Sequence, residues 1–187
     1  VYNYPMLPSE SSMAGIARAI IRNVDQACGT SDELIVTGLS MGGIVAMECA
    51  RLYPQRIKAL ALIDSNALDE TSTVSTQRNE MVFRAEQVGI GAFVRQELLP
   101  HLLHPHALED HGLRELMVSM AEHTGIERYR RHAEALAARP DYSETLKAFA
   151  GPALIIAGAD DSLCPPQRQH HLHSCLPQAQ LHFLGQC

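Results

Sequence analysis

The stretch Gly38-Leu39-Ser40-Met41-Gly42-Gly43 constrains this chain more than any other. An apolar run, Leu34-Ile35-Val36-Thr37, enters it, and a segment with helical patterning from Met41 to Tyr53 leaves it. Gly-x-Ser-x-Gly between a strand and a helix predicts a sharp turn that holds the serine above the carboxyl edge of a sheet. A serine hydroxyl is a poor nucleophile until a base takes its proton, and such a turn puts Ser40 where a base can reach it. Gly38 and Gly42 are expected to flank the turn because side chains there would meet the neighbouring strand or helix. The backbone N–H of Met41, at the helix start, is expected to supply one half of an oxyanion-binding pair. The competing reading is a glycine-rich turn without chemistry; strand before, helix after and the additional Gly43 favour the reactive one.

The rest of the chain supplies the setting for that turn. Ser11 or Ser12 is expected to cap a helix with Met13, Ile16, Ala17, Ile20 and Val24 on one face, ended by Gly29. The strand at 34–37 is apolar at every position but one, which predicts a parallel strand covered by helices on both faces. The following helix is expected to bury Ile44, Val45, Met47 and Cys49 and to stop at Tyr53-Pro54. A second strand is expected at 57–63, ending at Asp64. From Ser65 to Ala150 no buried strand is expected; helices at roughly 74–88, 92–103, 107–123 and 126–138 fill the space, punctuated by Gly89, Pro100, Pro105, Gly125 and Pro140. A third strand at 153–157 leads to Gly158-Ala159-Asp160-Asp161, Pro165-Pro166 open a helix to about Cys175, and a fourth strand spans 180–184. Such alternation predicts an α/β fold with a parallel sheet covered on both faces.

Composition narrows the function classes. At 187 residues the chain is one domain's worth, 46% hydrophobic and 19% charged, with formal net charge −6. No block of Lys or Arg accompanies that charge, so no nucleic-acid surface is expected. No apolar run approaches the ~20 residues of a membrane span. Five cysteines (Cys28, Cys49, Cys164, Cys175, Cys187) are odd in number and form no C-x-x-C. They imply a reducing, cytoplasmic setting without a disulfide framework. His170 and His173 share a helix face, but without clustered partners they read as a solvated helix end, and no metal is expected. Residues 1–8 are too short and proline-broken for a central strand, and the chain opens without Met or a signal-peptide pattern, so its start reads as a cut.

Taken together, G-L-S-M-G-G after a strand, the strand I-K-A-L-A-L-I-D, a helical insertion and L-I-I-A-G-A-D-D-S-L-C-P-P resemble the α/β-hydrolase superfamily from Ser11 to Cys187. The resemblance implies a core at 1–64 and 151–187 and a helical cap at 65–150. The family's Gly-x-x-Asp-x-x-x-Pro falls on Gly158, Asp161 and Pro165, which makes Asp161 the triad acid and Asp160 a solvated neighbour. A variant acid position in the family corresponds to Asp64. Relatives carry the histidine in a Gly-His pair after the last strand, which here would begin at position 188; His182 lies within that strand and is a weak substitute. The strands that precede the first helix in relatives, with the second oxyanion donor, are also without a counterpart. The resemblance therefore implies an internal fragment whose elbow strand lies at an exposed, aggregation-prone sheet edge.

What the resemblance implies for function is a serine hydrolase without cofactor or metal. It would act on a small carboxylic ester, lactone or thioester through an acyl-enzyme on Ser40, and the fragment by itself would be inactive. Carbon–carbon bond cleavage or elimination, aminopeptidase chemistry, and a non-catalytic ligand-binding protein on the same scaffold are the alternatives. In the cap, Met81, Phe83, Phe93, Leu98, Leu116, Met117 and Met120 are compatible with an apolar pocket or with plain helix core. Arg128 and Arg131, at i and i+3, are compatible with a substrate carboxylate or with a solvated face.

Overall fold

In a computed structural model the described residues are 9–30 and 33–185. The reading of residues 1–8 lies outside them. Helix α1 (Met13–Cys28) starts where Ser12 accepts a hydrogen bond from the Gly15 N–H, and it ends at Gly29, whose φ of 100° suits only glycine. Strand β1 (Leu34–Leu39) feeds helix α2 (Met41–Leu52), and β2 (Ile57–Ile63) follows. The remaining strands are β3 (Ala153–Gly158) and β4 (Gln180–Leu184), with helix α9 (Pro166–Cys175) between them. All pairings are parallel, in the order β1-β2-β3-β4, with Val36 opposite Leu60, Leu62 opposite Ile155 and Ile155 opposite Leu181. Among the described residues the fold class, the strand order and the edge position of β1 are as the resemblance implies.

Coverage of both sheet faces is not. Helices α1, α2 and α9 and a short helix α8 (Ser143–Lys147) join one packed layer on the side of Val36, Leu60, Leu62 and Ile155. On β1 the opposite face is open, with Ile35 77% and Leu39 62% exposed. The reason is topological. Crossovers between parallel strands are right-handed, so strands added in one direction put every crossover helix on the same face. Covering the other face requires the strand order to reverse, and among the described residues it does not.

The insertion between β2 and β3 is helical, with local departures from the expected pattern. Helix α3 (Ser72–Val88) is capped by Thr71. The helix expected at 92–103 is three pieces: α4 (Ile90–Phe93), a π-helical turn (Val94–Leu98) and α5 (Leu99–Leu102). The helix expected at 107–123 is a 3₁₀ turn (Ala107–Glu109) followed by α6 (His111–Thr124). The break falls at Asp110, whose carboxylate caps α6 by accepting from the Leu113 N–H. Helix α7 (Ile126–Ala137) completes the set, and α8 had no sequence signal.

Two apolar clusters result. The first joins the sheet to α1, α2 and α9 and also takes in Ala67, Ala135, Tyr142 and Leu146, so core packing reaches into both ends of the 65–150 segment. The second is centred on Phe93, Val94, Leu99 and Val118. Among the expected pocket residues Phe93 is fully buried in it, whereas Phe83, Leu116 and Met120 are exposed. A shallow apolar hollow of about 200 Å³ opens beside this cluster, lined by Leu98 of the π-helical turn and by Leu102, Met117 and Tyr129. No described helix is long and apolar enough to cross a membrane.

Candidate active site

Ser40, Asp64 and Asp161 all follow the carboxyl ends of parallel strands, β1, β2 and β3 in turn, so the topology brings them to one edge of the sheet. Ser40 is exposed and has φ 50° and ψ −115°, a conformation sparsely populated by non-glycine residues and costing on the order of 1–3 kcal/mol. Its main chain is tied on both sides. The Ser40 N–H donates to the Ile63 carbonyl at 2.8 Å. Its carbonyl accepts from the Gly43 N–H at 3.0 Å, the Ile44 N–H at 3.3 Å and the Ser65 hydroxyl at 3.0 Å. The Ser40 side chain makes no capping hydrogen bond to α2. The strain is thus held by hydrogen bonds to the Ser40 main chain, while among the described residues its hydroxyl stays unengaged. Met41 is the first residue of α2, and among the described residues nothing accepts its N–H, the usual state of a first-turn donor.

Glycine is required in this turn at one of the two positions the motif suggests and at one it does not. A Cβ on Gly38 would overlap the Gly42 carbonyl and the Gly43 nitrogen, so β1 and α2 meet there backbone to backbone. At Gly42, by contrast, a Cβ would meet nothing within 4 Å, which corrects the expectation of a clash. The crowded helix glycine is Gly43, where a Cβ would stand 2.5 Å from Ser65 Oγ.

The two acid candidates are held differently. Asp161 Oδ1 accepts from the Leu163 N–H at 2.7 Å and the Cys164 N–H at 2.9 Å, both within its own loop. Asp64 has φ 43°, and its Oδ1 accepts from the Gly158 N–H at 2.8 Å, tying the end of β2 to the end of β3. Asp160 is 3.9 Å from His104 Nε2 of the insertion. Beside Asp161, burial and then the aspartate's charge push the Cys164 thiol up to about 11, and burial with Glu48 pushes Cys49 up to about 12. Both stay protonated thiols at neutral pH and are poor nucleophiles.

No described histidine hydrogen-bonds to Ser40 or Asp161. His182 is exposed on β4 opposite Ile156. His170 lies against the Phe183 ring, and His173 Nε2 is 3.2 Å from the Ala179 carbonyl. Arg131 pairs with Glu127 and donates to the Ser9 carbonyl. Among the described residues Arg128 Nε is buried without a partner. Sequence reasoning missed Ser65 and Gln169, both fully buried at this edge. The additional Gly43 was a signal for Ser65; the run Q-R-Q-H-H-L-H gives none for Gln169.

Known proteins share this fold. A thermophilic esterase from Thermogutta terrifontis, solved with malate bound, superposes with TM-score 0.86 at 26% identity, covering 96% of this chain and 66% of that one. The enol-lactonase from Burkholderia xenovorans LB400 shares the fold at TM-score 0.81 and 22% identity, covering 95% and 66%. The curated protein named "Putative carbamate hydrolase RutD" from Klebsiella pneumoniae (strain 342) is 27% identical over 178 residues, 93% of this chain. The chain spans 65% of that relative's length. The family model described as alpha/beta hydrolase fold matches residues 10–187, and the chain belongs to that family.

Proposed function

We propose that this chain carries the nucleophile and the acid of a serine hydrolase that cleaves small carboxylic esters, lactones or thioesters through an acyl-enzyme on Ser40. The observation that carries the reading is the strained, backbone-anchored Ser40 with an unengaged hydroxyl at the carboxyl edge of the sheet. The relatives' names support the class: esterase and carbamate hydrolase both denote attack on a carbonyl bearing a heteroatom leaving group.

In this reading Ser40 Oγ attacks the carbonyl carbon while an imidazole takes its proton, and the carbonyl oxygen becomes an oxyanion facing the Met41 N–H. The imidazolium then protonates the leaving group, and water, deprotonated by the same base, releases the acid. The resemblance gives that base as a histidine. Asp161 orients it. Both N–H groups that grip Asp161 bind Oδ1, which leaves Oδ2 for the imidazole; Asp64, likewise bonded through Oδ1, is the alternative acid. Residues 65–150 act as the cap over the substrate, a small molecule, and the free Cys28, Cys49, Cys164 and Cys175 suit a reducing, cytoplasmic setting.

The test is steady-state hydrolysis of an aryl-ester panel by the protein at its full encoded length. Ser40→Ala is expected to lower kcat on the order of 10⁴–10⁶-fold with little change in fold. A ligand-induced rise in melting temperature without turnover would point instead to a binding protein.

A further inference from the structure

We infer that Gln169 and Ser65 form a buried strut that sets the distance between the Asp161 loop and the Ser40 turn, and so act as positioning residues for the reaction proposed above, on which this inference rests. Both are fully buried, and each bonds to the main chain of a loop remote in sequence. The Gln169 side-chain amide donates to the Ser65 carbonyl at 3.1 Å and to the Cys164 carbonyl at 2.9 Å. Cys164 in turn donates its N–H to Asp161 Oδ1. From the other side, the Ser65 hydroxyl donates to the Ser40 carbonyl at 3.0 Å. A continuous path therefore runs from the acid's carboxylate through Cys164, Gln169 and Ser65 to the nucleophile's own main chain.

Three features argue that the path is built rather than incidental. Both protons of the Gln169 amide are used, one on each loop, and they cross 104 residues of sequence on the Ser65 side. Gln169 Oε1 is buried with no partner among the described residues, so the amide is kept at a cost that a methionine of similar volume would avoid. And Gly43, in the first turn of the nucleophile helix, leaves the space that Ser65 Oγ fills. An imidazole that must bond to Ser40 Oγ and to Asp161 at once tolerates little error in their separation; a misplacement of about 1 Å costs roughly 10²-fold in rate.

The experiment measures kcat, KM and melting temperature for Gln169→Met, Ser65→Ala and the double variant, in the protein at its full encoded length, with fluorophosphonate labelling of the unaltered protein alongside. Each single variant is expected to lower kcat about 10–100-fold with KM within about twofold. The double variant is expected to lose no more than the worse single one, because both interrupt one path. Ser65→Ala removes a single oxygen, so it decides the matter by itself if Gln169→Met fails to fold. Unchanged kcat with a lowered melting temperature, or losses that multiply in the double variant, would overturn the strut. An unaltered protein that neither labels nor turns over would instead overturn the hydrolase reading, and the strut with it.

Discussion

Around Ser40 the chain is held by uncharged hydrogen bonds to its main chain and by backbone packed on backbone, whereas the root of the insertion is held by buried charge. The Glu70 side chain, 1% exposed, accepts from Arg78 Nε at 2.9 Å and from Arg139 Nη1 at 2.8 Å. Arg139 also donates to the Leu68 and Leu136 carbonyls, so one guanidinium joins the segment leaving β2 to the segment returning toward β3. The difference explains what could be read in advance. A backbone-on-backbone contact demands glycine at fixed spacing, so the Ser40 turn announces itself in six residues. An ion pair between residues 69 positions apart leaves no local pattern, and in the sequence Glu70 and Arg139 look like any solvated charges.

The contrast can be broken at its polar end first. Replacing Glu70→Gln leaves Arg139 buried with its charge uncompensated, and about 3–5 kcal/mol of stability should be lost in urea denaturation. Proteolytic nicking should appear between residues 65 and 140 before it appears in the sheet. A loss under 1 kcal/mol would mean the charges are dispensable at the insertion's root.

At the Ser40 turn the expected effects are somewhat smaller and opposite in sign at two glycines. Gly38→Ala forces a Cβ into the Gly42 carbonyl and should cost about 3 kcal/mol. Gly42→Ala meets open space on a helix and should be neutral or stabilising by up to about 1 kcal/mol. Equal losses at both positions would contradict the close approach of β1 and α2 at Gly38.

A pH series gives the smallest and most graded effect. Burial pushes the Glu70 carboxyl up, but hydrogen bonds and charge from Arg78 and Arg139 outweigh it, and the net displacement is downward. A carboxyl lowered in the folded state stabilises fully above its ordinary range and loses that contribution as pH falls through the lowered value. The unaltered protein should therefore lose stability on acidification, and the Glu70→Gln variant should lose less over the same acidic window.

Much of the fold was legible because periodicity and punctuation agree. The second and fourth strands fall at 57–63 and 180–184 as expected, and Ser12 and Gly29 bound α1. The open sheet face was not legible, since Ile35 and Leu39 have the apolar character of buried strand residues and only the strand order shows them uncovered. The break at Asp110 was missed because a capping side chain competed successfully with helix continuation. Among the candidate site residues, the local motif pointed to Ser40 and Met41 and the family resemblance to Asp161, whereas the Gln169 contacts arise only once the loops pack.

The central claim, that the Ser40 turn presents a reactive hydroxyl, is tested most directly by fluorophosphonate labelling followed by peptide mass spectrometry. The protein at its full encoded length should gain one phosphonyl group on the peptide containing Ser40, and the Ser40→Ala variant should gain none. Labelling at another residue, or a folded protein whose Ser40 stays unlabelled under excess reagent, would contradict the account.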